Sequence, residues 1–419
     1  MRPRWVYFWL YAWLASPASF YSLFLAERGL SSTNISLIQS LSSFFTIFSS
    51  TLITSYADGL LKAGYTDGKE IWMGFCFLLS SLAFLANALP ELNLFTLPES
   101  TAFYFYMTLK IFEAVFQTTL HHMSKAIALD FLQAENNNDG YGQERLYASI
   151  SWGLFNCIVG YSIDQFGSTK ILYYSKFASS VIFFVVLYFF CREKPSNNHK
   201  CSNNERSPRE VESRVDNRGL FAVLFSSTAS AVFVGLFSLV NSGKAIVSNQ
   251  AFPFFQKVFG STNLTCGLSV TVSIIFEIPI MWCSGSLLKM IGPQGLLACG
   301  SICYCIRVLG YTLISNGGLA LMALETLHGV TFGFSDTAAT AFVNTAAPSE
   351  VQQDAQVFFH TLVKIVTIII STIGGVVVDK YGAVILFRGA AATMASFLCL
   401  FLMCTFWPKR AELEREKTD

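Results

Sequence analysis

Apolar residues run along this chain in long stretches separated by short polar loops. About 20 apolar residues span a bilayer as a helix. On that measure there are twelve candidate spans, at residues 5–26, 35–57, 71–89, 102–120, 146–164, 171–191, 219–258, 264–285, 294–314, 319–343, 355–378 and 383–407. The stretch 219–258 is too long for one simple span, because forty helical residues would run about 60 Å against a hydrocarbon core of about 30 Å. Asn241-Ser242-Gly243-Lys244 interrupts it. Two readings stand: an interfacial helix precedes the span, or the helix is broken there, as at the binding sites of some transporters.

The one long polar stretch is Arg192–Arg218, rich in Ser, Asn, Pro and charge, and its composition predicts disorder. It divides the chain into six spans plus six, with predicted segments 1–191, 192–218, 219–407 and a tail 408–419. The halves echo each other. Ser32-Thr33-Asn34-Ile35-Ser36 returns as Ser261-Thr262-Asn263-Leu264-Thr265, 229 residues later. Ile163-Asp164-Gln165-Phe166-Gly167 returns as Val378-Asp379-Lys380-Tyr381-Gly382, 215 residues later, and Gly160 matches Gly375 at the same offset. Two matches in order, in corresponding loops, predict a duplicated six-helix unit. The expected fold is therefore an all-α membrane protein with two parallel six-helix repeats and a substrate site where the repeats meet.

Composition agrees with this reading. Of 419 residues, 53% are hydrophobic, 15% aromatic and only 13% charged, and the mean hydropathy is +0.48. Soluble domains carry about 25% charged residues. The net charge of +1 points to no class of partner. Placing both termini in the cytoplasm puts 18 of the 28 Lys and Arg residues on the inner side, the bias that orients membrane proteins. The sequons at Asn34 and Asn263 then fall in outer loops, too close to the membrane for ready glycosylation. The first apolar run is long and lacks a small-residue cleavage site, so it reads as a helix rather than a signal peptide. The eleven cysteines show no metal-ligand spacing and read as small apolar core residues.

The chemistry lies in ionisable residues placed within the apolar runs: Arg307, Glu325, His328, Lys364 and Arg388, with Arg145 and Glu277 near helix ends. Each costs several kcal/mol in hydrocarbon unless it faces a partner or water, so such groups line transport pathways or proton relays. Glu325 and His328 are i,i+3 neighbours on one helix face, and Asp336 lies further along the same span. Arg307, on the preceding span, falls at a similar depth, so an Arg307–Glu325 pair is expected. It reads either as a coupling pair or as an ion pair holding two helices together. Arg145 and Trp152 are two turns apart and face one way: a fork of donors beside a stacking surface. Arg145 reads equally as a helix-start residue at the headgroups. Lys110 and Glu113 read as a local pair. Trp5, Trp9 and Trp13 read as interface anchors. Phe252, Phe254 and Phe255 read as lipid-facing packing, with a gate as the alternative.

Several segments together resemble a known family: Glu277-Ile278-Pro279, Gly285 to Gly292, Arg307, Leu324-Glu325 to His328-Gly329, Ala347-Pro348, Val378-Asp379 to Arg388 and, in the first half, Tyr141-Gly142 to Trp152. In this order they resemble the branch of the major facilitator superfamily that groups lactose permease and nucleoside–proton symporters with animal facilitator-domain proteins of the "domain-containing 6" type. The resemblance implies proton-coupling roles for Arg307, Glu325 and His328. It implies substrate-side roles for Arg145, Trp152, Glu277, His360, Lys364 and Lys125, and gating roles for Asp58, Gly285 and Gly292. His360 and Lys364 are i,i+4 on one span, and His360 is the repeat mate of Arg145 at offset 215. The sequence departs from the family pattern at Gly59, where an arginine is usual, and at Lys289, where an acid is usual. It departs again at Ser124-Lys125, where related symporters carry a carboxylate. Lys125 makes the expected inner cavity more cationic, or it snorkels to the headgroups.

The expected function is secondary active transport of a small polar organic solute by alternating access, coupled to protons. The alternative is a non-transporting receptor or scaffold with the same fold. No enzymatic activity, cofactor, metal or nucleic-acid partner is expected; the expected partners are the substrate, protons and lipid, and the expected state is a monomer.

Overall fold

A computed structural model describes residues 1–62, 68–94, 97–135, 141–193, 217–348 and 351–415. These fold as α1 (Pro3–Ala18), α2 (Tyr21–Ala26), α3 (Ser32–Lys62), α4 (Gly68–Leu85), α5 (Glu99–Ala134), α6 (Tyr141–Phe166), α7 (Ile171–Glu193), α8 (Asn217–Leu224), α9 (Thr228–Phe259), α10 (Asn263–Tyr311), α11 (Leu319–Ala346), α12 (Gln352–Tyr381) and α13 (Ala383–Arg415). α10 is two helices joined at a kink. Gly292 there has φ 68° and ψ 174°, and Pro293 follows, so segment 263–291 ends where 293–311 begins. Among the described residues seven helices, α10 among them, are long and apolar enough to cross a bilayer. With α10 counted as two, and with α1 joined to α2, α3, α5 and α11 added, the described residues make the twelve expected crossings.

The overlong stretch 219–258 resolves into a short helix and an unbroken long one. α8 is separate, and Ser227 starts α9 by accepting the Ser230 N–H at 3.1 Å. Asn241-Ser242-Gly243-Lys244 stays helical. Its polar side chains are absorbed locally: Asn241 Nδ2 donates to the Phe237 carbonyl at 3.0 Å and Ser242 Oγ to that of Ser238 at 2.7 Å. The helix is therefore not broken at this point.

The duplicated motifs end two helices in the same way. Gly167 follows α6 at φ 64° and Gly382 follows α12 at φ 88°, and their N–H groups donate to Ile163 and Val378 carbonyls at 2.8 and 2.9 Å. Only glycine takes that left-handed position cheaply.

Two compact units emerge, 1–198 with 248–274, and 199–247 with 275–419. The division cuts through α9 and α10 rather than following the polar stretch alone. Most of that stretch, the expected linker 192–218, lies outside the described residues, as does the end of the tail.

In unit 1 the centre is aromatic. Phe77 stacks on Phe183 at 4.1 Å and Trp13 lies 4.5 Å from Phe77; each such pair is worth about 0.5–1.5 kcal/mol beyond its packing. Trp13 is wholly buried, with Nε1 donating to Ser81 Oγ at 3.0 Å, so it is not the interface anchor expected from its spacing. Trp5, 45% exposed, fits that reading better. The lipid-facing reading of Phe252, Phe254 and Phe255 is also overturned: all three are buried, and Phe252 packs on Phe20 at 5.1 Å. The start of α10 lies directly on α6. A Cβ on Gly160 would collide with the Asn263 backbone, and one on Gly267 with the Asn156 backbone. Asp164 accepts the Asn263 and Leu264 backbone N–H groups at 2.9 and 2.7 Å, capping the helix start.

In unit 2, Phe233 stacks on Phe342 at 4.1 Å and Phe237 on Phe359 at 5.2 Å. α10 and α11 meet closely at Gly329, where a Cβ would lie 2.6 Å from the Glu277 backbone nitrogen. Small residues at such crossings let membrane helices approach.

Candidate transport site

The second half of α10 and the first half of α11 bring the expected charges together inside unit 2. Arg307 and Tyr311 are one turn apart on α10; Glu325 and His328 are one turn apart on α11. Arg307 Nη2 donates to Glu325 Oε2 at 2.7 Å, and Nη1 meets His328 Nδ1 at 2.8 Å. Tyr311 donates its hydroxyl to the other Glu325 oxygen. Arg307 is 5% exposed and Glu325 4%. The guanidinium has no lone pair, so it donates in the His328 contact. That contact requires a bare Nδ1, hence a neutral imidazole with its proton on Nε2. Arg307 thus holds two proton acceptors, one with each arm of its fork. Its Nε is buried with no hydrogen-bond partner among the described residues.

A second charged pair continues the array. Lys244 Nζ on α9 lies 3.1 Å from Asp336 Oδ1 on α11 and 4.8 Å over the Phe332 ring. Phe332 in turn lies 6.2 Å from the His328 ring. Lys244 bears electrostatically on both His328 and His360. His360 is exposed on α12, edge-on to Phe237 and Phe359, with Lys364 one turn further. Glu277 is half-buried and sits where α10 touches α11 at Gly329, the residue after His328. Arg388, exposed on α13, donates Nε to Thr312 Oγ1 at 3.2 Å and stands apart from the triad.

Unit 1 holds the substrate-side candidates. Arg145 is exposed on α6 and Trp152 half-buried two turns on. Tyr11 of α1 packs edge-on against Trp152 at 6.4 Å, and its hydroxyl meets His121 Nδ1 of α5 at 3.2 Å. Arg145 bears on both Tyr11 and His121. Lys125 lies one turn from His121, on the same face of α5, and is exposed. Glu144 binds Arg4, Nη2 to Oε1 at 2.8 Å, so it does not neutralise Arg145. Among the described residues neither Arg145 nor Lys125 has a carboxylate partner.

Of the gating candidates, the side chain of Asp58 on α3 lies outside the described residues. Gly292 forms the kink of α10, whereas Gly285 has open space around a would-be Cβ. Tyr311, Tyr11 and His121 join the site without having been singled out, and Lys244 joins it as a charge partner rather than as part of a helix break. A Tyr four residues from a buried Arg, and the Tyr7–Tyr11 and His121–Lys125 spacings, were the signals available.

The fold has relatives among known proteins. The model of the MFS_1 like family matches residues 2–389. The chain belongs to that family. Its fold is that of major facilitator transporters. An uncharacterized transporter of Bacillus subtilis (strain 168), YwbF, is 22% identical over 359 residues, covering 85% of this chain and 81% of that protein. The crystal structure of the nucleoside transporter NupG superposes with a TM-score of 0.76 at 15% identity, covering 96% of this chain and 98% of that one. The xylose transporter XylE from E. coli gives 0.62 at 11% identity, covering 96% and 94%. The protein is thus a multi-pass membrane member of a transporter family.

Proposed function

We propose that the protein carries a small polar organic solute across its membrane by alternating access and couples that movement to protons. The observation that carries the proposal is Arg307 holding Glu325 and His328 at once, the Arg307–Glu325 pair buried and His328 half-buried, with Tyr311 on the remaining carboxylate oxygen. A proton arriving on Glu325 or on His328 Nδ1 releases one arm of the guanidinium. Either event changes the balance of charge in a low-dielectric interior, where such changes are worth several kcal/mol. Arg145, Trp152, Tyr11 and His121 contribute hydrogen bonds and ring surface for the solute, with Lys125 on the same face of α5. Their unneutralised positive charge favours a solute bearing a carboxylate or phosphate over a neutral one. Glu277, His360, Lys364 and the Lys244–Asp336 pair act on the substrate side of unit 2, and Asp58, Gly285 and Gly292 belong to the gate. Both termini face the cytoplasm in this reading, with the six-helix halves 1–191 and 219–407 on either side of the stretch 192–218.

The test is reconstitution in liposomes after a thermal-shift screen of nucleosides, sugars, organic acids and phosphate esters. A stabilising solute should be taken up faster, and against its gradient, when the lumen is made alkaline. Binding without uptake in either direction would favour the receptor reading. Uptake indifferent to the proton gradient would leave transport and remove coupling.

A further inference from the structure

A second set of charges lies inside unit 1, apart from the residues assigned to the candidate transport site. Lys176 of α7 is fully buried. Its Nζ lies 3.4 Å from Glu113 Oε1 of α5 and 3.4 Å from the Trp13 carbonyl oxygen of α1. It also sits over the Trp13 ring, 3.3 Å from the centroid. Glu113 is buried as well, and its other oxygen accepts from Lys110 Nζ at 2.9 Å. Lys110 is 12% exposed and lies 4.4 Å over the Tyr21 ring, so it forms the rim of the cluster and Lys176 its floor.

Two lysines therefore share one carboxylate. Among the described residues no other acid is within ion-pairing distance of either. With all three groups ionised, the interior carries one surplus positive charge. Such a charge is costly where water is excluded. Loss of one proton removes the surplus and leaves one ammonium–carboxylate pair beside a neutral amine. The fully protonated form is also supported, because the face of Trp13 attracts the Lys176 ammonium and the Trp13 carbonyl accepts from it. Both states are compensated, which is what reversible protonation requires.

We propose that Lys110, Glu113 and Lys176 form a second proton-binding site, in unit 1, that takes up and releases one proton as a unit. The proton belongs to the cluster rather than to one lysine. Lys176 is faced by Glu113 and Lys110 from α5, by the indole and carbonyl of Trp13 from α1, and by the Phe84 ring from α4 at 5.2 Å. Ser180 of its own helix donates to the Lys176 carbonyl. No charged group of α6 bears on it among the described residues.

Trp13 serves as the reporter, since an ammonium against an indole face alters its emission and an amine does not. Purified full-length protein is titrated from about pH 6 to pH 10, a range above ordinary Asp and Glu titration. The Trp13 signal is isolated as the difference between the wild type and Trp13→Phe. One single-proton step is expected, and Lys176→Met should abolish it. Lys110→Met removes a like charge and should move the midpoint to higher pH. Glu113→Gln removes the counter-charge and should move it to lower pH. Each shift should be about tenfold in proton affinity or more. Absence of a step, or a step with the same midpoint in Lys110→Met and Glu113→Gln, overturns the proposal. Should Glu113→Gln or Lys176→Met fail to fold, Lys110→Met at the rim decides alone, and an unmoved midpoint there overturns it.

Discussion

Removing one member of the Arg307–Glu325 pair should cost far more than removing both. Glu325→Leu leaves the Arg307 guanidinium, 5% exposed, without its carboxylate and still facing His328. Arg307→Met leaves a buried carboxylate that keeps the Tyr311 hydroxyl but has lost its cation. Breaking a buried pair in this way costs about 3–5 kcal/mol, whereas replacing both partners by apolar groups of similar size is often neutral. Arg307→Met with Glu325→Leu should therefore regain most of the stability that each single change loses. The cycle is read by thermal unfolding of purified protein, with a coupling energy of about 2 kcal/mol or more expected for residues in direct contact. The same double variant separates structure from coupling. Stable and folded, it should still exchange solute for solute across a liposome membrane yet fail to accumulate it against a gradient. Full proton-driven accumulation by the double variant would refute the coupling role and leave a structural pair. Strictly additive losses of stability would refute the contact itself.

Three further outcomes follow from particular contacts. Gly160→Ala should drive a methyl into the Asn263 backbone and separate α6 from the start of α10, costing about 1–3 kcal/mol in thermal unfolding; an unchanged melting temperature would contradict the close approach. Asn263 should carry no glycan, because its amide Nδ2 donates to Asp164 at 2.8 Å and its Oδ1 accepts from Gln256 at 2.7 Å; a mobility shift on glycosidase treatment that Asn263→Gln abolishes would show otherwise. Lys125→Glu should weaken binding of anionic solutes by about tenfold or more relative to neutral ones if the lysine meets substrate, since charges at contact interact by a few kcal/mol at an effective dielectric of about 20. An unchanged ligand profile in a normally expressed variant would assign Lys125 to the headgroups.

The readable part of the site shared one property: its residues were out of place. Arg307, Glu325 and His328 could be found because a charge in an apolar run demands a partner, and the i,i+3 spacing of Glu325 and His328 put two candidates on one face. The Lys110–Glu113 contact was legible for the same reason, since both partners lie on one helix. Lys176 was passed over although it also lies in an apolar run, because nothing in its own helix answers it. Its carboxylate comes from α5, 63 residues away. Tyr11 was hidden because a tyrosine on a membrane helix carries no charge to mark it, and His121 because it falls just past the end of the candidate span 102–120. Trp13 and the phenylalanines near Phe254 were misplaced because an aromatic residue carries no mark distinguishing interface or lipid from core.

The linear pattern determined what solvent could not change. Apolar length fixed how many times the chain crosses, and helix-ending glycines at matching offsets marked the duplication. These are local or additive properties, each a sum over residues near in the chain. Only the tertiary structure decided which charge meets which. It chose Lys244 for Asp336, Lys176 as the second cation on Glu113, and His328 as the second acceptor for Arg307. The continuity of α9 through Asn241–Lys244 is by contrast local, since these side chains turn back onto their own helix. Pairing across helices depends on rotation and depth to within an ångström or two. The period of an α-helix predicts a face, but the neighbour that this face meets is set by the packing of every other helix around it.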